Sequence, residues 1–163
     1  MNSFTIPMKR RKLALLLGTV LFLLSVLPTE AQISVTPDQS ISFGAFYQGN
    51  KGGTVSISPD GARTVTGDVI EILQGIQYLP AIFVVDAPVG TVITIQNGPD
   101  VALTGNNGGS MTLSIGSSST GSPFTTTTPQ TRVSIGATLT VGSVAASPSG
   151  VYNGSLSVTF IQQ

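Results

Sequence analysis

Short runs that alternate apolar and polar residues, separated by turn residues roughly every eight to twelve positions, most constrain how this chain can fold. The last run is among the cleanest: in "VYNGSLSVTF" Tyr152, Leu156 and Phe160 fall on one side of an extended strand. A period of two is typical of strands with one buried face, and many short strands of this kind are typical of a β-sandwich. We therefore expect an all-β fold, a single immunoglobulin-like antiparallel β-sandwich.

The individual runs predict strands at residues 33–35, 40–48, 53–58, 62–67, 81–87, 89–96, 110–116, 131–142 and 150–160, and a further run at 97–105 leads into a turn. The first of these is expected to end before Pro37. Three pairs of neighbouring runs are expected to form hairpins, around "PDG" (59–61), around Pro88 and around "NNGG" (106–109). Three stretches are expected to be loops: the Gly-rich segment 49–53, which contains Lys51, the uncharged Ser/Thr-rich segment 116–130, and the shorter connector 143–150.

The N-terminus has the order of a secretory signal peptide. A basic cluster at residues 9–12 precedes an apolar run at 13–27, and small residues follow at Thr29 and Ala31. We predict a signal-peptide helix within residues 1–31, cleavage between Ala31 and Gln32, and one domain at 32–163. The rival interpretation is a retained N-terminal anchor, although the run is shorter than the roughly 20 residues of a membrane span. Cleavage would give a secreted, periplasmic or cell-surface bacterial protein with no membrane contact.

The charged residues of the predicted domain are few and mostly acidic. The basic side chains are Lys51, Arg63 and Arg132, and the acidic ones are Asp38, Asp60, Asp68, Glu71, Asp86 and Asp100. Nucleic acids and anionic membranes bind proteins through clusters of basic side chains. We therefore expect neither as a partner.

The chain contains no Cys and no His, which removes most catalytic and metal-binding chemistry. Disulfides, thiol nucleophiles and cysteine-based zinc or iron–sulfur sites cannot form. A histidine general base is also absent. Two carboxylates could hydrolyse a glycoside, but Asp68 and Glu71 are three positions apart and would face opposite sides of a strand. We expect no enzyme activity, no catalytic residues and no cofactor; a structural calcium ion is left open, although no regular acidic spacing predicts one.

Aromatic side chains are the other candidates for ligand contact. The chain has no Trp, and Tyr152 falls on the predicted core face of its strand. Tyr47, close to Gly49, and Tyr78, close to Pro80, are the remaining tyrosines and the predicted ligand contacts. The alternative is that both are ordinary residues at the rim of the sandwich.

Two parts of the sequence resemble a bacterial secreted family known as domain of unknown function 4402. The first is "ISFGAFYQGNKGGTVSISPDGARTVTG" (41–67), with its FG pair, GTV, SPDG, an Arg and a Gly. The second is "VSIGATLTVGSVAASPSGVYNGSLSVTF" (133–160), in which Ala137 and Phe160 depart from residues frequent in the family. The resemblance implies a small secreted β-sandwich, similar in pattern to spore-coat-U-type and pilin-like domains. It implies no catalytic residue.

The function expected from these features is a non-enzymatic structural or adhesive protein, such as a pilus, fibre or matrix subunit. Its partners would be further copies of itself or another surface protein, joined through exposed strand edges. Residues 32–44 could donate a strand to a neighbour, or residues 33–35 could pair within their own domain. The alternative function is a soluble periplasmic or extracellular module that binds a glycan or a protein.

Overall fold

A computed structural model describes residues 32–72 and 75–163 of the 163-residue chain. The predicted signal peptide, residues 1–31, lies outside them. Gln32–Gln163 forms one compact unit, and its described residues contain strands and no helix. The strands are β1 (Ser34–Gln39), β2 (Ser42–Phe43), β3 (Ala45–Ile57), β4 (Arg63–Ile72), β5 (Tyr78–Leu79), β6 (Ala81–Asp86), β7 (Val92–Asn97), β8 (Val101–Gly105), β9 (Ser110–Ser118), β10 (Phe124–Thr125), β11 (Gln130–Val141), β12 (Tyr152–Asn153) and β13 (Val158–Gln162).

The strands pair antiparallel throughout and form three sheets, which confirms the predicted all-β, sandwich-like fold. The largest has eight strands, with the path β1-β6-β11-β9-β8-β12 and with β3 and β4 joined to it through β11. A three-stranded sheet has the order β10-β7-β13, and β2 pairs with β5. None of the described segments is a helix of the length and apolarity that crossing a membrane requires.

The long strand β11 connects the two parts of the core. Its residues 130–135 pair with β6, and its residues 137–141 pair with β3. The buried side chains of β11 are Val133, Ile135, Ala137, Leu139 and Val141. The first two belong to a cluster with β6, β7 and β13, and the last three to a cluster with β3, β8 and β9. The inward side chains of β11, which alternate along the strand as predicted, therefore pack into two adjoining core clusters.

Two of the three predicted hairpins form. The turn around "PDG" joins β3 to β4, with the Ser58 N–H donating to the Ala62 carbonyl at 2.9 Å and Gly61 at φ 87°. The turn around "NNGG" joins β8 to β9, and the Gly108 N–H donates to the Gly105 carbonyl at 3.1 Å. In both, glycine takes the positive φ that the turn needs.

The hairpin predicted around Pro88 does not form. β6 lies between β1 and β11, while β7 lies between β10 and β13 in another sheet. The connection is held by the segment before β11: the Ala87 N–H donates to the Pro129 carbonyl and the Gly90 N–H to the Thr126 carbonyl, at 2.9 and 2.8 Å. β7 has no place beside β6, because β6 already has a partner strand on each side.

The Gly-rich segment 49–53 is not a loop. It lies within β3, and the register between β3 and β4 shifts between Gln48 and Gly53, so the segment is a bulge. Asp68 accepts a hydrogen bond from the Lys51 N–H at 3.2 Å, and Gly52 has φ 72°. Glycines let the strand bend here without losing its partner.

The first strand continues past Pro37. β1 pairs with β6 as far as Gln39, with an irregularity between Pro37 and Gln39. Proline lacks an N–H donor, but it is accommodated because β1 is at the edge of its sheet and has a partner on one side only.

The closing run divides into two strands in different sheets. β12 pairs with β8 in the large sheet, whereas β13 pairs with β7 in the small one. The predicted inward face is confirmed: Tyr152 and Leu156 pack against one core cluster, and Val158 and Phe160 against the other.

The predicted loop at 116–130 is only partly exposed. β9 extends to Ser118, and Phe124 and Thr126 are buried. The Ser122 hydroxyl both accepts from the Ile95 N–H and donates to the Ile95 carbonyl, at 2.8 and 3.0 Å. The segment therefore extends the small sheet beside β7, where its residues 124–125 form β10.

Candidate functional site: a neutral cleft beside strand β3

A cleft of about 690 Å³ opens on the large sheet. Its floor consists of Leu103 on β8, Met111 and Leu113 on β9, and Leu139 on β11, which belong to one core cluster. Residues 39–48 form one wall and residues 149–156 the other. The floor is apolar because β8, β9 and β11 direct alternate side chains to the same face.

One wall is formed where the predicted strand 40–48 is interrupted. Gly44 has φ 70°, which separates β2 from β3. Phe43 is buried, and Phe46 is half-buried against the same core cluster. A side chain at position 44 would be strained at this φ, so the glycine of the FG pair sets the shape of this wall.

Strand β3 is paired on one side only where it borders the cleft. Residues 45–48 pair with residues 69–72 of β4, whereas β11 pairs with β3 only over residues 53–57. Within the described residues no strand lies on the second side of residues 45–48. This is a sheet edge that borders an apolar floor.

Gln48 is the buried polar side chain of this wall. It is 6% exposed, and its Nε2 has no hydrogen-bond partner among the described residues. Its cross-strand partner is Val69, a buried core residue. An amide donor therefore lies unpaired beside the cleft, an arrangement that is uncommon in folded proteins.

The opposite wall is held to β8 by close packing around two glycines. A side chain at Gly105 would meet the Tyr152 ring at 2.8 Å, and one at Gly154 would overlap Leu103. The Tyr152 hydroxyl donates to the Pro148 carbonyl at 2.6 Å. Burial raises the pKa of this phenol above its ordinary value.

Among the described residues, none that lines the cleft is charged. Arg63 donates to the Ala45 carbonyl of this wall at 2.8 Å. Its guanidinium lies 5.4 Å from the centre of the Tyr78 ring, within the range of a cation–π contact. Arg63 therefore supports the wall of the cleft from outside its lining.

The two tyrosines predicted as ligand contacts occupy different positions. Tyr47 lines the cleft and is 57% exposed, and its partner on β4 is the exposed Ile70. Tyr78 is 38% exposed, lies on β5 and contacts Arg63 instead of lining the cleft. The structure therefore brings only Tyr47 to the cleft.

Several acidic side chains already have partners. Asp38 forms an ion pair with Arg132 at 2.6 Å, Asp86 accepts from Gln130 at 3.0 Å, and Asp60 bonds Ser58 within its turn. Asp68 and Glu71 lie three positions apart on β4, the odd spacing that puts strand residues on opposite faces. Among the described residues no cluster of three acidic side chains is placed to hold a metal ion.

Sequence reasoning missed the cleft, although one signal of it is visible in the sequence. Gly44 interrupts a run that otherwise alternates, and in the structure the inward side changes beyond it from the odd positions to Phe46 and Gln48. A polar residue at a core position indicates either an internal partner or a binding site.

Comparison with known proteins gives one match. A family model described as "Domain of unknown function (DUF4402)" matches residues 33–161. No curated protein and no solved structure matches the chain.

Proposed function

From the premise that this chain belongs to the DUF4402 family, a domain of unknown function, we propose a function from its own residues. The protein is a non-enzymatic structural or adhesive component of a bacterial cell surface, which works by holding another protein chain. Pilus, fibre and matrix subunits are proteins of this kind. The signal-peptide pattern of residues 1–31 supports export to the periplasm, the surface or the medium.

The observation that carries this proposal is the one-sided strand at residues 45–48 beside the apolar cleft. The unpaired backbone groups of a strand edge are a template for another strand. Proteins that bind one another by strand addition obtain affinity from the backbone and specificity from side-chain pockets. This cleft has both a strand edge with free backbone groups and an apolar floor that can receive side chains.

The side-chain inventory supports a role without catalysis. The sequence has no His and no Cys, and a Ser hydroxyl without an adjacent base is a weak nucleophile. Asp68 and Glu71 are the two carboxylates considered for glycoside hydrolysis. Their odd spacing on one strand puts them on opposite faces.

A glycan- or protein-binding module is the second candidate, and one observation favours it. Tyr47 presents an exposed aromatic ring beside a cleft whose volume is in the range of small-ligand sites. Substituting Tyr47→Ala separates the two candidates. Glycan binding that disappears in this variant would support the binding-module function. The structural function predicts that the native protein binds no glycan.

The proposed function is tested by purifying the native protein from the surface of its own bacterium and imaging it by negative stain. The proposal predicts the protein in filaments or in a surface layer with a second protein. Recovery of only free monomers, with no surface material lost when the gene is deleted, would contradict it.

A further inference from the structure

Resting on the proposed function, we propose the chemistry of the partner: an extended, uncharged peptide segment of a different protein, with apolar side chains at alternate positions. The segment lies along residues 45–48 as an added strand. Its apolar side chains enter the cleft above Leu103, Met111 and Leu139. Gln48 donates a hydrogen bond to one of its carbonyl oxygens.

The free edge of β3 determines that the ligand is an extended peptide. Residues 45–48 have a neighbouring strand on the β4 side only. At about 3.3 Å per residue they offer roughly 13 Å of edge, enough for one short strand. An extended backbone satisfies donors and acceptors along such an edge, which a sugar or an acyl chain cannot do in the same periodic way.

The floor determines which side chains the segment carries. The floor residues are apolar and at most 7% exposed, so the surface that a ligand would meet there is hydrocarbon. Since successive side chains of a strand point to opposite sides, only every second residue of the ligand can reach them. No lining residue is charged, so a Lys, Arg, Asp or Glu that entered would lose its hydration without gaining a partner.

Gln48 supplies the specific polar contact. Its Nε2 is buried beside the cleft and has no partner among the described residues, which makes the free protein less stable than it would be with an apolar residue there. On binding, a carbonyl oxygen of the ligand accepts a hydrogen bond from this Nε2, and the loss of stability caused by the unpaired donor is removed. Functional residues that reduce the stability of the free protein in this way are a recurring feature of binding sites.

The arrangement of this chain favours a different protein over a second copy. Its own strands at the two ends of the domain are already paired, β1 with β6 and β13 with β7, and β1 also carries the charged Asp38. Ile33 and Val35 pack against a core cluster, as do Val158 and Phe160. Either segment would have to leave its own sheet before it could enter the cleft of a neighbour.

The test uses the purified protein and a capped peptide of about nine residues in which Ser and Val alternate. Calorimetry measures affinity, and hydrogen exchange shows which backbone amides become protected. A matched peptide has Glu in place of its central Val. We expect binding with protection at residues 45–48, and affinity for the Glu peptide at least about tenfold lower.

The variant Gln48→Leu distinguishes a binding role from a structural one. We expect it to weaken peptide binding about tenfold while its thermal midpoint stays equal or rises, because an unpaired buried donor is removed. The exposed substitution Thr112→Ser on β9, outside the lining of the cleft, is the control, with an affinity within about threefold of the native protein. A Gln48→Leu variant that binds as tightly as the native protein, or that melts earlier, would overturn the assignment.

Other results would also overturn the inference. Absence of binding, protection at β4 or β1 instead of residues 45–48, or equal affinity for the Glu peptide would each reject this ligand. If the protein self-associates without peptide and the amides of residues 45–48 then exchange slowly, the ligand of the cleft would be a second molecule of this protein instead. If the peptide does not bind while the native protein is still found in surface assemblies, the proposed function is retained and only this inference about the ligand is rejected.

Discussion

At the scale of single residues, the positions that mark the family have structural roles. Gly44 and Gly67 have φ values of 70° and 68°, and a side chain at Gly53 would collide with the Thr66 carbonyl. Arg63 donates to the Ala45 carbonyl and packs against Tyr78. These residues maintain the β3–β4 hairpin and one wall of the cleft, and none of them forms a catalytic group.

Gly105 tests the close packing of the opposite wall. We expect Gly105→Ala to lower the free energy of unfolding by about 1–3 kcal/mol, because the new methyl group would lie 2.5 Å from the Gly108 carbonyl oxygen and 2.8 Å from the Tyr152 ring. Thr104→Ala, an exposed substitution on the same strand, is the control and should change it by less than about 0.5 kcal/mol. Urea denaturation measures both, and an equal effect of the two substitutions would show that this contact is absent.

Asp60 gives the β3–β4 turn a dependence on pH. The hydrogen bond from the Ser58 hydroxyl, followed by that from the Ala62 backbone, holds the pKa of Asp60 below its ordinary value of 3.8. A lowered pKa in the folded state contributes stability above the ordinary pKa, and the contribution is lost as pH falls through the lowered value. We expect the native protein to lose more stability than Asp60→Asn between about pH 5 and pH 2. Parallel urea titrations check this, and equal losses would contradict the turn geometry.

At the scale of elements, the position of strand β1 distinguishes two hypotheses: donation of this strand to a neighbouring subunit, or pairing within its own domain. It pairs with β6 over Ser34–Gln39, and Ile33 and Val35 pack against a core cluster. The structure therefore places this strand within its own domain. A role as a donor would require it to leave that position.

Paired substitutions in β1 test its internal role. We expect Ile33→Ser with Val35→Ser to lower the free energy of unfolding by about 2 kcal/mol, because two half-buried side chains lose their packing. Ser34→Ala with Thr36→Ala, on the other face of the strand, should leave it nearly unchanged. Unaltered stability of the first variant together with loss of assembly would instead support strand donation.

How far the sequence predicts each element depends on whether its structure is set locally. The turns around "PDG" and "NNGG" are local, because their glycines close them without help from distant residues. The separation of β6 from β7 is not local, since it depends on β1 and β11 occupying the edges of β6. The bulge at residues 49–53 is also non-local, because its glycines suit a loop and a bulge equally until β4 is placed opposite.

The candidate site was only partly predictable for the same reason. Tyr47 was identified from its exposure and its neighbouring glycine, and it does line the cleft. Gln48 was not identified, because its significance depends on the absence of a partner, which requires the positions of β4, β8 and β9. Leu103 and Met111 are ordinary core residues in the sequence and become a floor only when the walls leave space above them.

At the scale of the whole molecule, the domain has two cores that are bordered by different elements. The cluster around β6 and Val133 has the three-stranded sheet packed against it, including Ile93 and Phe160. The cluster around β3, β8 and β9 is bordered by the segments 39–48 and 149–156, and the cleft lies between them. We infer that the added partner strand packs between these two segments.

The central claim is that another chain occupies the edge of β3 when the protein is in its native assembly. Hydrogen exchange of the backbone amides of residues 45–48 tests it most directly, measured in surface material from the bacterium and in the isolated protein. We predict strong protection in the assembly and fast exchange in the isolated protein, with β11 equally protected in both as the internal reference. Exchange at residues 45–48 that is equally fast in the two samples would contradict the account.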